Sequence, residues 1–139
     1  MNQGRGILYN HGAAQCTRCH KADPNRKGGE AGPDLRAAGK THNAAYLLES
    51  LIVPNARIAS GFGMVSLTMK DGSLIAGMLS KDGPESITIT NLVDGNESTH
   101  SRKDIASVSS AMSTMPPMGQ ILSKQETRDL IAYLQSLKF

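Results

Sequence analysis

The chain has 139 residues, a net charge of +3, a pI near 9.0 and an apolar fraction of 39%, which suits one globular domain and is short for two of ordinary size. It holds no run of roughly 18 apolar residues, which excludes a transmembrane helix, and its lysines and arginines are scattered, which argues against a nucleic-acid-binding protein. There is no Trp, and three Tyr and two Phe are the only Tyr or Phe rings, so the core needs another large apolar filler.

The N-terminus MNQGRGILYN lacks the basic start and apolar stretch of a secretory signal, as expected of a mature fragment or a domain of something longer. A partly helical segment is expected from about Asn2 to Gln15, weakened near its end by Gly12. The window AAQCTRCHKAD comes next and contains both cysteines of the chain, Cys16 and Cys19, with His20 directly after them. GGEAGPDL, residues 28–35, reads as a tight Gly-Pro loop. Ala44, Leu47, Leu48, Leu51 and Ile52 fit the apolar spacing of a helix, and Pro54 ends it by pushing Val53 out of helical conformation. From Phe62 to Val108 the period changes to two: Val65, Leu67 and Met69 alternate with polar residues, Asp71-Gly72 and Asp94-Gly95 mark turns, and SITIT alternates again. About four short antiparallel strands are expected there, as a folded insertion spanning 62–108, since a structureless stretch of that length does not occur in a compact domain. At the C-terminus Ser123 and Glu126 form a capping-box pattern ahead of Leu130, Ile131, Leu134 and Leu137, which share one helical face near Tyr133.

Three chemistries use C-x-x-C: structural zinc, a dithiol redox pair, and haem attachment when His comes directly after. Zinc would need two further ligands from His11, His20, His42 and His100, and no two of these have the H-x3–5-H spacing. A redox pair belongs between a strand and a helix, and GRGILYNHGAAQ carries no buried-strand pattern. A disulfide would close too small a loop to stabilise much. Haem attachment makes sense of the whole window, because two thiols on one turn reach the two vinyl groups while His20 presents its imidazole to the iron. The macrocycle would also supply the missing aromatic filler. A ligating imidazole needs an acceptor for its second nitrogen, and the carbonyl of Pro33 is placed to serve. The sixth iron position is then open, or filled by His or Met. Met64, Met69 and Met78 fall in strand-like sequence and read as core, and Met1 is terminal. Met115, stiffened by Pro116, is the leading candidate, then Met118 and Met112; His42 and His100 compete but sit in polar stretches.

With CTRCH, GPDL, the Met-Pro step and the amphipathic C-terminal helix taken together, the chain resembles small monohaem c-type cytochromes. It is most similar to the haem-binding domain of Planctomycetes and Verrucomicrobia, often found at the C-terminal end of large secreted proteins that carry a dehydrogenase-like propeller. GRGILY, YLLESLIVPNARIASGF, DGSLIAGML, STMPPMG and LSKQETRDLIAYLQSL carry the likeness across nearly the whole chain. The resemblance implies a mainly α cytochrome c fold over residues 1–139, with N- and C-terminal helices packed at the haem and an inserted antiparallel β meander. Gly4 or Gly6, with Leu8, would then meet Ile131, Tyr133 and Leu134. It implies thioethers from Cys16 and Cys19, His20 and Met115 as axial ligands, and the Pro33 carbonyl as acceptor from His20. The extra methionines of MSTMPPM keep Met118 in play. Arg36, Lys40 and Arg57 are candidates to meet the propionates.

The function this implies is electron transfer, not catalysis, in the periplasm or another extracytoplasmic space. The expected partner is a redox protein such as a fused or associated dehydrogenase. The sequence leaves two rival readings: a ligand sensor or peroxidase-like enzyme with a displaceable methionine, and a partner-docking or dimerisation module formed by the β insertion.

Overall fold

The computed structural model of the protein describes residues 2–139; Met1, the terminal methionine, lies outside the described residues. The chain is 29% helical and 23% strand. Its largest element is one antiparallel sheet of six strands, accompanied by a few short helices. This overturns the expected mainly α cytochrome c fold. The two-residue alternation persists through stretches too short or too polar to stand out, so six strands form where about four were expected. Helical periodicity, by contrast, never extends beyond 13 residues. The chain divides into two compact units, one comprising residues up to Arg57 together with Met115–Phe139, the other Ile58–Thr114.

The first unit contains α1 (Asn2–Asn10), α2 (Ala38–Thr41), α3 (Ala44–Ile52) and α4 (Lys124–Ser136), with a 3-10 turn at Cys16–Arg18. The N-terminal helix stops at Asn10, short of the expected Gln15. Beyond it, His11 Nδ1 accepts from the Ala14 N–H at 3.1 Å, and Gln15 takes a left-handed φ of 48°, turning the chain toward the cysteines. Helix α3 starts at Asn43, whose side chain accepts from the Tyr46 N–H at 2.8 Å, and stops at Ile52 as Pro54 requires. Helix α4 carries the expected capping box: Ser123 Oγ accepts from the Glu126 N–H at 3.1 Å, and Glu126 Oε2 accepts from the Ser123 N–H at 2.8 Å.

The core of this unit is aliphatic. Leu8 of α1, Leu47 and Leu51 of α3, and Leu130, Ile131 and Leu134 of α4 are buried together, with Met118, Leu122 and Leu137. Helices α1 and α4 meet at Gly4, where a β-carbon would lie 2.0 Å from the Asp129 carbonyl oxygen and 2.7 Å from Tyr133 Cβ. Only glycine permits that approach. Gly6, the other candidate, has open space where its β-carbon would be.

The second unit is the sheet: β1 (Gly63–Met69), β2 (Leu74–Asp82), β3 (Ser86–Thr90), β4 (Glu97–Ser101), β5 (Ile105–Val108) and β6 (Met112–Ser113). The spatial order is β4-β3-β2-β1-β5, with β6 also beside β1. Strands β1 to β4 form the expected meander. The chain then returns across it to pair β5 and β6 with β1, in register Leu67 to Val108 and Met64 to Met112. The turn at Asp71-Gly72 works as its sequence suggests, with Gly72 at a φ of +90° and Asp71 Oδ1 accepting from the Ser73 N–H at 2.8 Å. Val65, Leu67, Ile87 and Ile89 are the buried centre of the sheet's own core. Among the described residues no helix is long and apolar enough to cross a membrane.

The two glycines of α1 make opposite predictions. Gly4→Ala forces its methyl group into the α4 backbone and should destabilise the protein by about 1–3 kcal/mol or more. Gly6→Ala meets nothing and should stabilise it by roughly 0.5–1 kcal/mol through helix propensity. Urea unfolding of the two variants reads the signs, and equal shifts would mean that the helices do not cross at Gly4.

Candidate functional site

The site is built on one turn of chain. The N–H groups of Cys19 and His20 both donate to the Cys16 carbonyl, at 3.2 and 3.0 Å, so residues 16–20 coil around a single acceptor. Cys16 opens the 3-10 turn and Cys19 caps it, so the two cysteines stand at the two ends of one turn. Both are free cysteines, Cys16 half-buried against the helical core and Cys19 exposed. Burial pushes the Cys16 thiol above its ordinary value, the opposite of the depressed thiol that a dithiol redox catalyst needs. Among the described residues the helical unit contains no strand, so the strand-to-helix setting of such a catalyst is missing as well.

Residues 28–35 lie across this turn as a strap, held by main-chain hydrogen bonds. The Gly29 N–H donates to the Thr17 carbonyl at 3.0 Å, the Gly32 N–H to the Cys19 carbonyl at 2.8 Å, and the Leu35 N–H to the Lys21 carbonyl at 2.7 Å. Backbone this close to backbone leaves no room for side chains. A β-carbon at Gly29 would lie 2.0 Å from the Arg18 carbonyl oxygen, and one at Gly28 2.4 Å from that of His20. At Gly32 it would lie 2.5 Å from Cε1 of the His20 ring. Sequence reading identified the strap as a tight loop but missed what these glycines do. Their recurrence at 28, 29 and 32, just downstream of a candidate ligand histidine, was the available signal.

The strap also delivers the expected acceptor. His20 Nδ1 is 2.6 Å from the Pro33 carbonyl oxygen. A carbonyl only accepts, so Nδ1 carries the proton and Nε2 keeps its lone pair. Burial holds the His20 pKa below its ordinary value, with the Pro33 bond opposing that shift. The imidazole is therefore neutral, oriented, and able to donate electrons through Nε2.

The methionines separate by environment. Met118 is only 3% exposed within the helical core. Its N–H donates to the Leu51 carbonyl at 2.8 Å, and its own carbonyl accepts from Ile121 and Leu122. It is a packing residue. Met115 is half-buried and packs on the same apolar cluster as Cys16. Met112 lies in β6 and is 60% exposed, while Met64, Met69 and Met78 lie on β1 and β2. His42 stacks on Tyr46 with ring centroids 4.0 Å apart, and His100 hydrogen-bonds Ser98 Oγ within β4.

Two of the cations considered for propionates already have acidic partners: Arg36 with Asp34 at 2.5 Å and Arg57 with Glu49 at 2.8 Å. Lys40 Nζ reaches the Phe139 backbone oxygen at 3.5 Å. Among the described residues no three His, Cys, Asp or Glu side chains gather as a metal-binding group. In comparisons with known proteins, no family model matches the chain, and no curated protein matches it.

If Gly32 exists to leave space for the imidazole, Gly32→Ala should displace the ring and break its bond to Pro33. The hydrogen-bonded Nδ1–H resonance of His20 in proton–nitrogen NMR should disappear, with a stability loss of about 1–3 kcal/mol. An unchanged resonance would show that the ring is not held from that side.

Proposed function

We propose that the protein carries one haem c, joined through thioethers to Cys16 and Cys19, and serves as a one-electron carrier with His20 and Met115 as axial ligands. The observation that carries this reading is the 2.6 Å contact between His20 Nδ1 and the Pro33 carbonyl, on a turn that also presents two free thiols. The site rather than the fold supports it, since the same chemistry can sit on different architectures.

The residues present fit such a group on three counts. Cys16 and Cys19 lie on one turn, with one thiol half-buried and one exposed. The strap lies against the His20 ring at Gly32, so closely that a β-carbon there would sit 2.5 Å from Cε1, and this sets the ring's orientation. Met118 is committed to packing, while Met115 lies half-buried on the cluster that Cys16 touches.

Haem, when bound, supplies an iron centre that exchanges one electron. The task of this chain is to hold that centre unchanged through the exchange. Pro33 fixes the His20 tautomer and ring direction and raises the basicity of Nε2. The Gly-rich strap stops the ring from turning. Pro116 and Pro117 stiffen the segment next to Met115, whose thioether favours the reduced state and so a higher potential. Were His20 and Met115 both to hold the iron, no position would be left for a substrate, which is why we assign a carrier and not an enzyme. Covalent haem attachment takes place after export, so the periplasm or another extracytoplasmic space is the proposed location. The proposed partner is a redox protein such as a dehydrogenase, fused or separate.

The test is to produce the chain with a haem-attachment system and compare wild type with Met115→Leu and Met118→Leu, which remove a thioether at nearly constant volume. The expected result is one covalent haem in all three, with the weak far-red band of an iron–thioether bond lost only in Met115→Leu. Failure of the wild type to take up covalent haem would overturn the proposal. A high-spin wild type would remove Met115 as a ligand and move the protein to the ligand-binding class.

A further inference from the structure

A groove of about 670 Å³ runs along the outer side of α3 and α4. Ala44, Ala45, Leu48 and Ile52 form one wall, and Ile131 and Ala132 belong to the other. Leu48 and Ile52 remain 45% and 38% exposed, although Leu47 and Leu51 on the same helix are fully used by the core. Helix α3 is thus apolar on more of its circumference than its own unit can cover. None of Cys16, Cys19, His20 and Met115 lines the groove, so its role is independent of the haem reading.

The charge on the groove is one-sided. Its only ionisable lining residues are Lys124 and Arg128, both cationic and one helical turn apart on α4. Lys124 occupies the first position of α4, where the helix dipole disfavours a cation, and among the described residues it has no acidic partner. Arg128 is 70% exposed and reaches only its neighbour Asp129, at 3.4 Å. A second copy of the chain would bring this same pair, on a molecule of net charge +3, against itself. A partner with carboxylates would instead complete it.

We propose that the groove docks an acidic amphipathic helix of a partner protein. The small side chains of Ala44, Ala45 and Ala132 let a third helix approach closely. Leu48 and Ile52 receive its apolar face, and carboxylates spaced four residues apart meet Lys124 and Arg128. This surface would give recognition that is attractive to acidic partners and salt-dependent.

The experiment titrates the full isotope-labelled chain with a synthetic 14-residue helical peptide, bearing leucines on one face and two glutamates four residues apart, and tracks amide shifts by NMR. Saturable shifts confined to residues 44–52 and 124–135 are expected. Lys124→Glu/Arg128→Glu should weaken binding at least tenfold, and a peptide with lysine in place of glutamate should recover it. Leu48→Ser should abolish binding of either peptide to its matching chain. The proposal is overturned by an absence of saturable shifts, or by indifference to the charge reversal. It is equally overturned if ultracentrifugation shows a wild-type dimer that Leu48→Ser dissociates, or if anionic lipid vesicles, and not the peptide, shift these amides.

Discussion

The candidate site depends on main-chain hydrogen bonds between the strap at residues 28–35 and the turn at 16–21. A side-chain contact can be lost by rotation of one bond, whereas a laced pair of backbones moves only as a unit. Because the lacing ends at Leu35, Pro33 lies inside it, and its carbonyl has no freedom except to face His20. The glycines are the condition for this: each carbonyl that approaches Gly28 or Gly29 occupies the volume of a side chain. Rigidity is useful here in a specific way, since a side chain whose direction is fixed in advance spends no energy on reorganising.

A division of labour among sulfur-bearing residues arises from packing. Cys16 is anchored at the edge of the helical core and Cys19 faces solvent, so the turn bridges the inside and the outside of the unit. In the MSTMPPM segment Met118 fills the interior between α3 and α4, and its backbone bond to Leu51 fixes where the segment rejoins the core. Met115, three residues earlier, is half-buried and packs against that same core. Two prolines between them limit how the intervening chain can bend.

Much of this was legible in residues whose physics is local. The capping box at Ser123, the stop imposed by Pro54 and the turn at Asp71-Gly72 all depend on near neighbours in sequence, and the structure contains each of them; the Pro33 carbonyl meets His20 across 13 residues. What was misjudged depended on distant partners. Strands β5 and β6 are four and two residues long, mostly exposed, and exist only because β1 offers them the edge that β2 does not occupy. No local signal marks them, and they extend the sheet from four strands to six. Gly4 and Gly6 look alike in sequence, and only the approach of α4 distinguishes them.

The sheet unit is one uninterrupted stretch of chain, Ile58–Thr114, while the helical unit is assembled from the segments on either side of it. The sheet can therefore fold from its own contiguous stretch, through hairpins between adjacent strands. Helix α1, whose closest neighbour is α4, must wait until the later segment has been made. For that interval Cys16, Cys19 and His20 belong to a unit whose core cannot yet close. The turn that holds both thiols is thus completed only when segments on opposite sides of the sheet's sequence have come together.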